Sequence, residues 1–157
     1  MGGGASRMEV HFRHIARAVI VHENKILIAR LKGAHAFLPG GGVEPGEGAQ
    51  QALQRELYEE LGVVCAVHRF MGVLETHRID EKGVLQHEIS HLFEVSSEQL
   101  TSFAHPRSQE DHLDFHWIDL NTDQIKRHDV LPRMMQEHLV RLVAERDCVW
   151  MSTFTPT

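Results

Sequence analysis

Apolar positions along this chain recur with two different periods. Ile15 to Val21 and Ile26 to Leu31 are β-branched and aliphatic runs separated by His22-Glu23-Asn24-Lys25, which predicts a hairpin. Leu38 to Gly48 is so dense in glycine and proline that it predicts a tight, irregular loop with exposed backbone. From Ala49 to Leu61 the period lengthens. Ala49, Ala52, Leu53, Leu57 and Leu61 follow helical spacing, and Gly62 supplies a C-terminal stop.

Val63 to Ile79 and Leu85 to Val95 return to strand-like patterning, joined by Asp80-Glu81-Lys82-Gly83, and predict a long hairpin. Ser96 to His112 is polar and predicts a loop. Leu113 to Ile118 alternates as one more strand, with Phe115 and Trp117 on one face as core packing. Leu131, Met134, Met135, Leu139, Leu142 and Val143 form one stripe and predict a second helix over 131–143, the methionines filling core. Mixed strands with one helix after the second strand and another near the end predict an α/β (α+β) sandwich, helices covering a mixed sheet. No internal repeat and no second-domain boundary is visible. The expected organisation is a leader or expression remnant over 1–7, one domain over 8–146 and a tail over 147–157.

Composition narrows the function classes. With 157 residues, 42% hydrophobic and 24% charged, the chain can bury a core without disulfides. A net charge of −6 argues against non-specific nucleic-acid binding through a basic face, so an anionic ligand would need a local cation. Cys65 and Cys148 belong to no metal or redox spacing and are expected as free thiols. The 13 histidines are scattered, with no HExxH. There is neither a signal pattern nor an apolar run of about eighteen residues, so the expectation is a soluble cytoplasmic protein without a membrane partner.

The densest chemistry lies in GGVEPGEGAQQALQRELYEELGV, Gly41 to Val63. On a helix, Glu56, Glu59 and Glu60 share one face, where like charges destabilise by a few tenths of a kcal/mol per pair unless something neutralises them. Hard carboxylate oxygens suit Mg²⁺, Ca²⁺ or Mn²⁺. A glutamate-rich helix face is otherwise usually just solvated.

As a spacing, the segment is Gly41, five residues, Glu47, seven residues, Arg55-Glu56-Leu57, one residue, Glu59-Glu60, one residue, Gly62-Val63. It matches the Nudix box at every position, and with Phe37-Leu38-Pro39-Gly40-Gly41 before it the chain resembles Nudix hydrolases of the MutT-like kind. The resemblance implies a Nudix-type α/β/α sandwich. It also implies hydrolysis of a nucleoside diphosphate linked to another moiety, with Mg²⁺, or Mn²⁺ in its place, on the box glutamates. Glu56 and Glu60 are then metal ligands, Glu59 a further ligand or the water-orienting base, and the Gly41 carbonyl a member of the metal shell. Arg55 is read as fixing a box carboxylate such as Glu47.

Beyond the box, the resemblance implies an acidic residue on a later loop as ligand or base, and Glu110 is the candidate. Arg30 and Lys32, ending the strand before the glycine loop, are candidate phosphate contacts, with surface charge the alternative. Glu75, His87 and Glu88 lie on the long hairpin, where cleft and solvent are equally compatible with a two-residue alternation. Around Arg78 and Ile79 neither the proline nor the tyrosine that marks the ADP-ribose or diadenosine-polyphosphate subfamilies is found. A nucleoside triphosphate or a broad nucleoside-diphosphate derivative is therefore the expected substrate. A nucleotide-sensing module without turnover and a dinucleoside-polyphosphate or mRNA-cap hydrolase are the alternatives. The oligomeric state is left open by the sequence, a homodimer being a common assembly for such folds.

Overall fold

His11 to His14 holds three polar residues around Phe12, yet it is strand. In the computed structural model, which describes residues 7–154, β1 runs over Val10–Val19, five residues further toward the N-terminus than the aliphatic run predicts. The reason is its partner. β7 (Leu85–Ser96) lies parallel to β1 from Val10↔Leu85 to Val19↔Glu94, so the backbone of the polar stretch is satisfied by the sheet while its side chains stay exposed. The expected leader lies, apart from Arg7, outside the described residues.

Of the expected first hairpin only the tip forms: β2 (Val21–His22) pairs with the start of β3 (Lys25–Leu31), turning through Glu23 and Asn24 at φ 50° and 60°, while Ile15 to Val19 lies in β1, in a different sheet from β3. The glycine-rich segment is more ordered than expected. Ala36–Phe37 is β4, paired with β3, and Gly40–Gly42 is β5, paired antiparallel with β1. Gly40 explains how. With φ at +141°, any Cβ it carried would lie 2.0 Å from the Ala16 carbonyl oxygen, so only glycine lets the two backbones approach.

α1 (Ala49–Leu61) follows as predicted and ends at Gly62 in the left-handed conformation, whose N–H donates to the Tyr58 carbonyl at 2.8 Å. β6 (Ala66–Ile79) and β7 form the long hairpin, its turn held by Asp80 Oδ1 accepting from the backbone of Lys82 and Val84. β8 (Leu113–Asp119) pairs along the whole of β3.

The expected helix over 131–143 is replaced. Val130–Leu131 is a short strand, β9, parallel to β4; Arg133–Met135 is a single 3-10 turn; and only Leu139–Ala144 is helical. Pro132 accounts for the break, because a residue preceding proline is pushed out of the α region and proline has no N–H to give. Two further elements fall where the sequence suggested none. α2 (Thr122–Arg127) is capped by Asn121, whose side chain accepts from the Gln124 N–H at 2.8 Å, and Leu139–Ala144 is thus α3. β10 (Val149–Ser152) adds a parallel edge to β6.

One sheet therefore runs β10-β6-β7-β1-β5, and a second centres on β3, flanked by β8 on one side and β2 and β4 on the other, with β9 beyond β4. Leu53, Leu57 and Leu61 of α1 pack on Ala16, Ala18, Phe93 and Val95 and on Leu27, Ala29 and Phe115. Each fully buried leucine contributes about 1.5–3 kcal/mol. A second core, with Ile26, Ile28, Leu38, Leu74 and Leu92, is closed by Ile125 of α2 and Leu139 and Leu142 of α3. The fold is mixed α+β, helices on mixed sheets. No helix among the described residues is long and apolar enough to cross a membrane.

Candidate active site

The buried leucines of α1 fix its rotation and thereby present Arg55, Glu56, Glu59 and Glu60 along the border of the core. Burial is graded across them: Glu60 is only 6% exposed, Glu56 is half-buried and Glu59 lies open to solvent. Arg55 organises the arc. Its Nε and Nη2 donate to the two carboxylate oxygens of Glu47 at 2.8 and 2.9 Å, Nη2 also reaches the Gly42 carbonyl at 3.0 Å, and Nη1 reaches Glu56 at 3.1 Å and Glu59 at 3.4 Å. Arg55 and the Glu44 N–H together hold the Glu47 carboxyl down at about 2, while Glu47 foremost raises Arg55 above its ordinary value.

Above α1 the glycine strand presses close. A Cβ on Gly41 would stand 2.4 Å from the carboxyl carbon of Glu56, so the bare backbone at that position is what admits the carboxylate. Glu60 lies beside Glu56 with Oε2 buried and without a hydrogen-bond partner. Burial first, and then the charge of Glu56, push its carboxyl up to about 8, against the opposing influence of Arg17.

The loop before β8 completes this end of the site. Its Gln109 N–H donates to the Glu60 carbonyl at 2.7 Å, which brings Glu110 to the same cleft as Glu56 and Glu60. Glu110 acts on Glu60 electrostatically, pairs with His112 at 3.1 Å, and has its carbonyl held by the Ser108 hydroxyl.

No three His, Cys, Asp or Glu side chains among the described residues are already gathered as a metal cluster. The donor set nonetheless fits a hard divalent cation. Glu60 offers an unpartnered oxygen, Glu56 a second carboxylate lodged under Gly41, and Glu110 a third group at the same cleft.

The cleft is about 840 Å³, within the usual range for a small-molecule site. Its strand walls carry Arg13 and Arg17 from β1, Thr76, His77 and Arg78 from β6, and the alternating Gln86, Glu88 and Ser90 of β7. Glu88 thus faces the cleft, whereas Glu75 accepts from Ser152 and His87 packs against Phe12 and Phe154. Arg30 and Lys32 do not line it. Arg30 donates instead to the carbonyls of Ala34 and His128. Arg13 escaped the sequence reading because the strand was expected to start at Ile15, and Arg17, although inside that run, had no alternating polar neighbour there to mark its face. Their spacing across Ile15 is the alternation that a longer strand would have revealed.

The profile of the NUDIX domain matches residues 12–137. An ADP-ribose pyrophosphatase of Methanocaldococcus jannaschii is 36% identical over 92 residues, covering 55% of this chain and 52% of that protein. The mouse protein named nucleoside diphosphate-linked moiety X motif 6 is 32% identical over 128 residues, covering 76% of this chain but 39% of its own length. The chain thus spans about half, or less, of the curated relatives it matches. Among solved structures, a MutT protein of Bacillus halodurans superposes with a TM-score of 0.69 at 15% identity, covering 89% of this chain and 88% of that one. A UDP-X diphosphatase gives 0.64 at 20% identity, covering 94% and 70%. At such identities the structural likeness concerns the fold.

Proposed function

The chain belongs to the NUDIX family, and from that premise we propose that it is a divalent-metal-dependent pyrophosphohydrolase. Its substrate class is a nucleoside diphosphate linked to another moiety, either a nucleoside triphosphate or a broader nucleoside-diphosphate derivative. One observation carries the reading: Glu60 is buried with an orphaned Oε2 beside a second carboxylate, at the floor of a cleft of nucleotide size. A buried carboxylate is costly unless a proton or cation neutralises it. The names of the archaeal relative and of the UDP-X diphosphatase concern diphosphate-linked nucleosides, which supports this class for the chain.

Glu56 and Glu60, with the Gly41 carbonyl and Glu59 or Glu110, would hold Mg²⁺, with Mn²⁺ able to replace it. When bound, the cation neutralises charge on phosphate oxygens and makes water more acidic. The side chains do the rest. Arg55 holds Glu47 and Glu56 in place. Glu59 or Glu110 accepts a proton from the attacking water, and His112, 3.1 Å from Glu110, can share it. Buried Cys65 and exposed Cys148 are free thiols, which supports a reducing cytoplasmic setting.

The test is a panel of nucleoside triphosphates, ADP-ribose, UDP-sugars, dinucleoside polyphosphates and capped RNA, incubated with Mg²⁺ and resolved by chromatography. The expected result is metal-dependent cleavage of a phosphoric anhydride in at least one member. Tight binding with no cleavage of any would replace the enzyme with a nucleotide sensor.

A further inference from the structure

Two arginines enter the cleft from β1, and their surroundings differ. Arg13 is engaged by Glu88 at 3.2 Å, its partner in the β1/β7 register. Arg17 is half-buried deeper in, opposite Gly40 of β5. It donates one N–H to the Leu38 carbonyl at 3.1 Å, and its guanidinium carbon lies 5.0 Å from the centre of the Phe37 ring. Glu60, Glu88 and Glu56 all act on it electrostatically, yet among the described residues none forms an ion pair with it.

A guanidinium has five N–H donors in a fixed fork. Arg17 spends one of them, at a site where burial disfavours its charge. Its other donors are not among the buried, unpartnered side-chain atoms of the described residues, and so open toward the cleft that Arg17 lines. A guanidinium fork turned toward a cleft in this way matches the oxygens of a phosphate or diphosphate. The neighbouring strand β5 lines the same cleft with glycines alone, Gly40, Gly41 and Gly42.

We propose that Arg17 binds and positions the diphosphate of the substrate, gripping its phosphate oxygens at the cleft floor beside Glu56 and Glu60, with the Phe37 ring steadying the guanidinium plane. This rests on the hydrolase reading above and adds to it a residue that lies outside the glycine–glutamate motif. It divides the work at the site: one end of the diphosphate meets the carboxylate arc, the other a preorganised arginine fork.

The probe is inorganic pyrophosphate, titrated calorimetrically into the whole protein at saturating Mg²⁺, with wild type, Arg17→Gln and Arg17→Lys compared. Mn²⁺ affinity without pyrophosphate and Tm serve as controls. Arg17→Gln is expected to weaken pyrophosphate binding about 10- to 100-fold, the range for a charged hydrogen-bonding pair, and to raise KM for any cleaved panel member more than it lowers kcat. Mn²⁺ affinity should stay unchanged. Arg17→Lys, keeping charge without the fork, should fall between, and it alone decides if the glutamine variant does not fold. The inference is overturned if both variants bind pyrophosphate within about twofold of wild type, if wild type does not bind pyrophosphate, or if the loss merely follows a loss of Mn²⁺ affinity. Arg17-dependent pyrophosphate binding without turnover of any panel member would sink the hydrolase reading and leave this inference standing.

Discussion

Arg55 grips Glu47 through two parallel hydrogen bonds, at 2.8 and 2.9 Å, and has a further N–H free to reach Glu56 at 3.1 Å. A lysine can meet one oxygen at a time and has no planar fork. Arg55→Lys should therefore lower kcat about 10- to 100-fold, the usual effect of loosening a group that orients a metal ligand. Steady-state kinetics with Mn²⁺ titration would check it. A variant with wild-type kcat would show that the geometry of Glu56 does not depend on this clamp.

Gly41→Ala places a methyl group 2.4 Å from the Glu56 carboxyl carbon, closer than any real contact. Either the carboxylate swings away or the strand lifts. Divalent-metal affinity should fall by about tenfold or more while α1 and the cores persist. Calorimetry with Mn²⁺ and a circular-dichroism melt separate the two effects, and undiminished affinity would contradict the proposed lodging of Glu56.

Glu60 gives a prediction whose sign depends on metal. Its folded-state carboxyl titrates at about 8 instead of 4.5, so the native state holds the proton more tightly than the unfolded chain. That contribution is fully present below about pH 4.5 and is lost as pH rises toward 8. In EDTA, wild type should lose stability across this window and Glu60→Gln should not, giving the variant a Tm a few degrees higher at pH 8. With saturating Mg²⁺ the order should reverse. A variant less stable in both conditions would argue that Glu60 serves the fold and not a cation.

Three histidines pull the other way. Burial foremost lowers His91, His116 and His128, with His14 adding to the effect on His91 from 2.8 Å, and His105 and Arg30 adding to it at the other two. Each group is thus less protonated in the native state. The stability they lend is present above the unfolded value near 6.5 and declines as pH falls through the lower native values. In the Glu60→Gln background, where the opposing carboxyl is gone, Tm in EDTA should drop between pH 7 and pH 5.5. A flat profile there would count against the burial of these rings.

Glu59 and Glu110 compete for the role of base. Replacing the one that takes the proton by glutamine should lower kcat about 10²-fold or more and remove the acidic limb of the pH–rate profile, with the fold intact. Replacing the other should leave that limb in place. Near-normal turnover in both single variants would exclude both residues from proton transfer.

The parts of this structure legible in the sequence are those whose causes are local. α1 declares itself through Leu53, Leu57, Leu61 and the stop at Gly62, and the partnership of Arg55 with Glu47 follows from two helical turns and a tight loop. The β6/β7 hairpin is written in Asp80 and Gly83. What stayed hidden depends on distant partners. The polar start of β1 is strand only because β7 lies beside it, and β10 only because β6 offers an edge. The stripe from Leu131 to Val143 mimics one helix while Pro132 divides it between a strand and two short turns of helix. α2 did carry local signals, the Asn121 cap and the basic last turn at Lys126 and Arg127, but at six residues it is too short for periodicity to stand out.

The parallel pairing of β1 with β7 also bears on when the site comes into being. Arg13 and Glu88, which sit side by side on the cleft wall as register partners of β1 and β7, are 75 residues apart in the chain. Glu47, Arg55 and Glu56 can find one another within a single loop and helix, on the timescale of local structure. The wall that encloses a substrate must wait for a long loop to close. An isolated peptide spanning residues 41–63 would hold the whole motif and no cleft, and a folding intermediate with α1 formed but β1 undocked would display its carboxylates to solvent with nothing to grip.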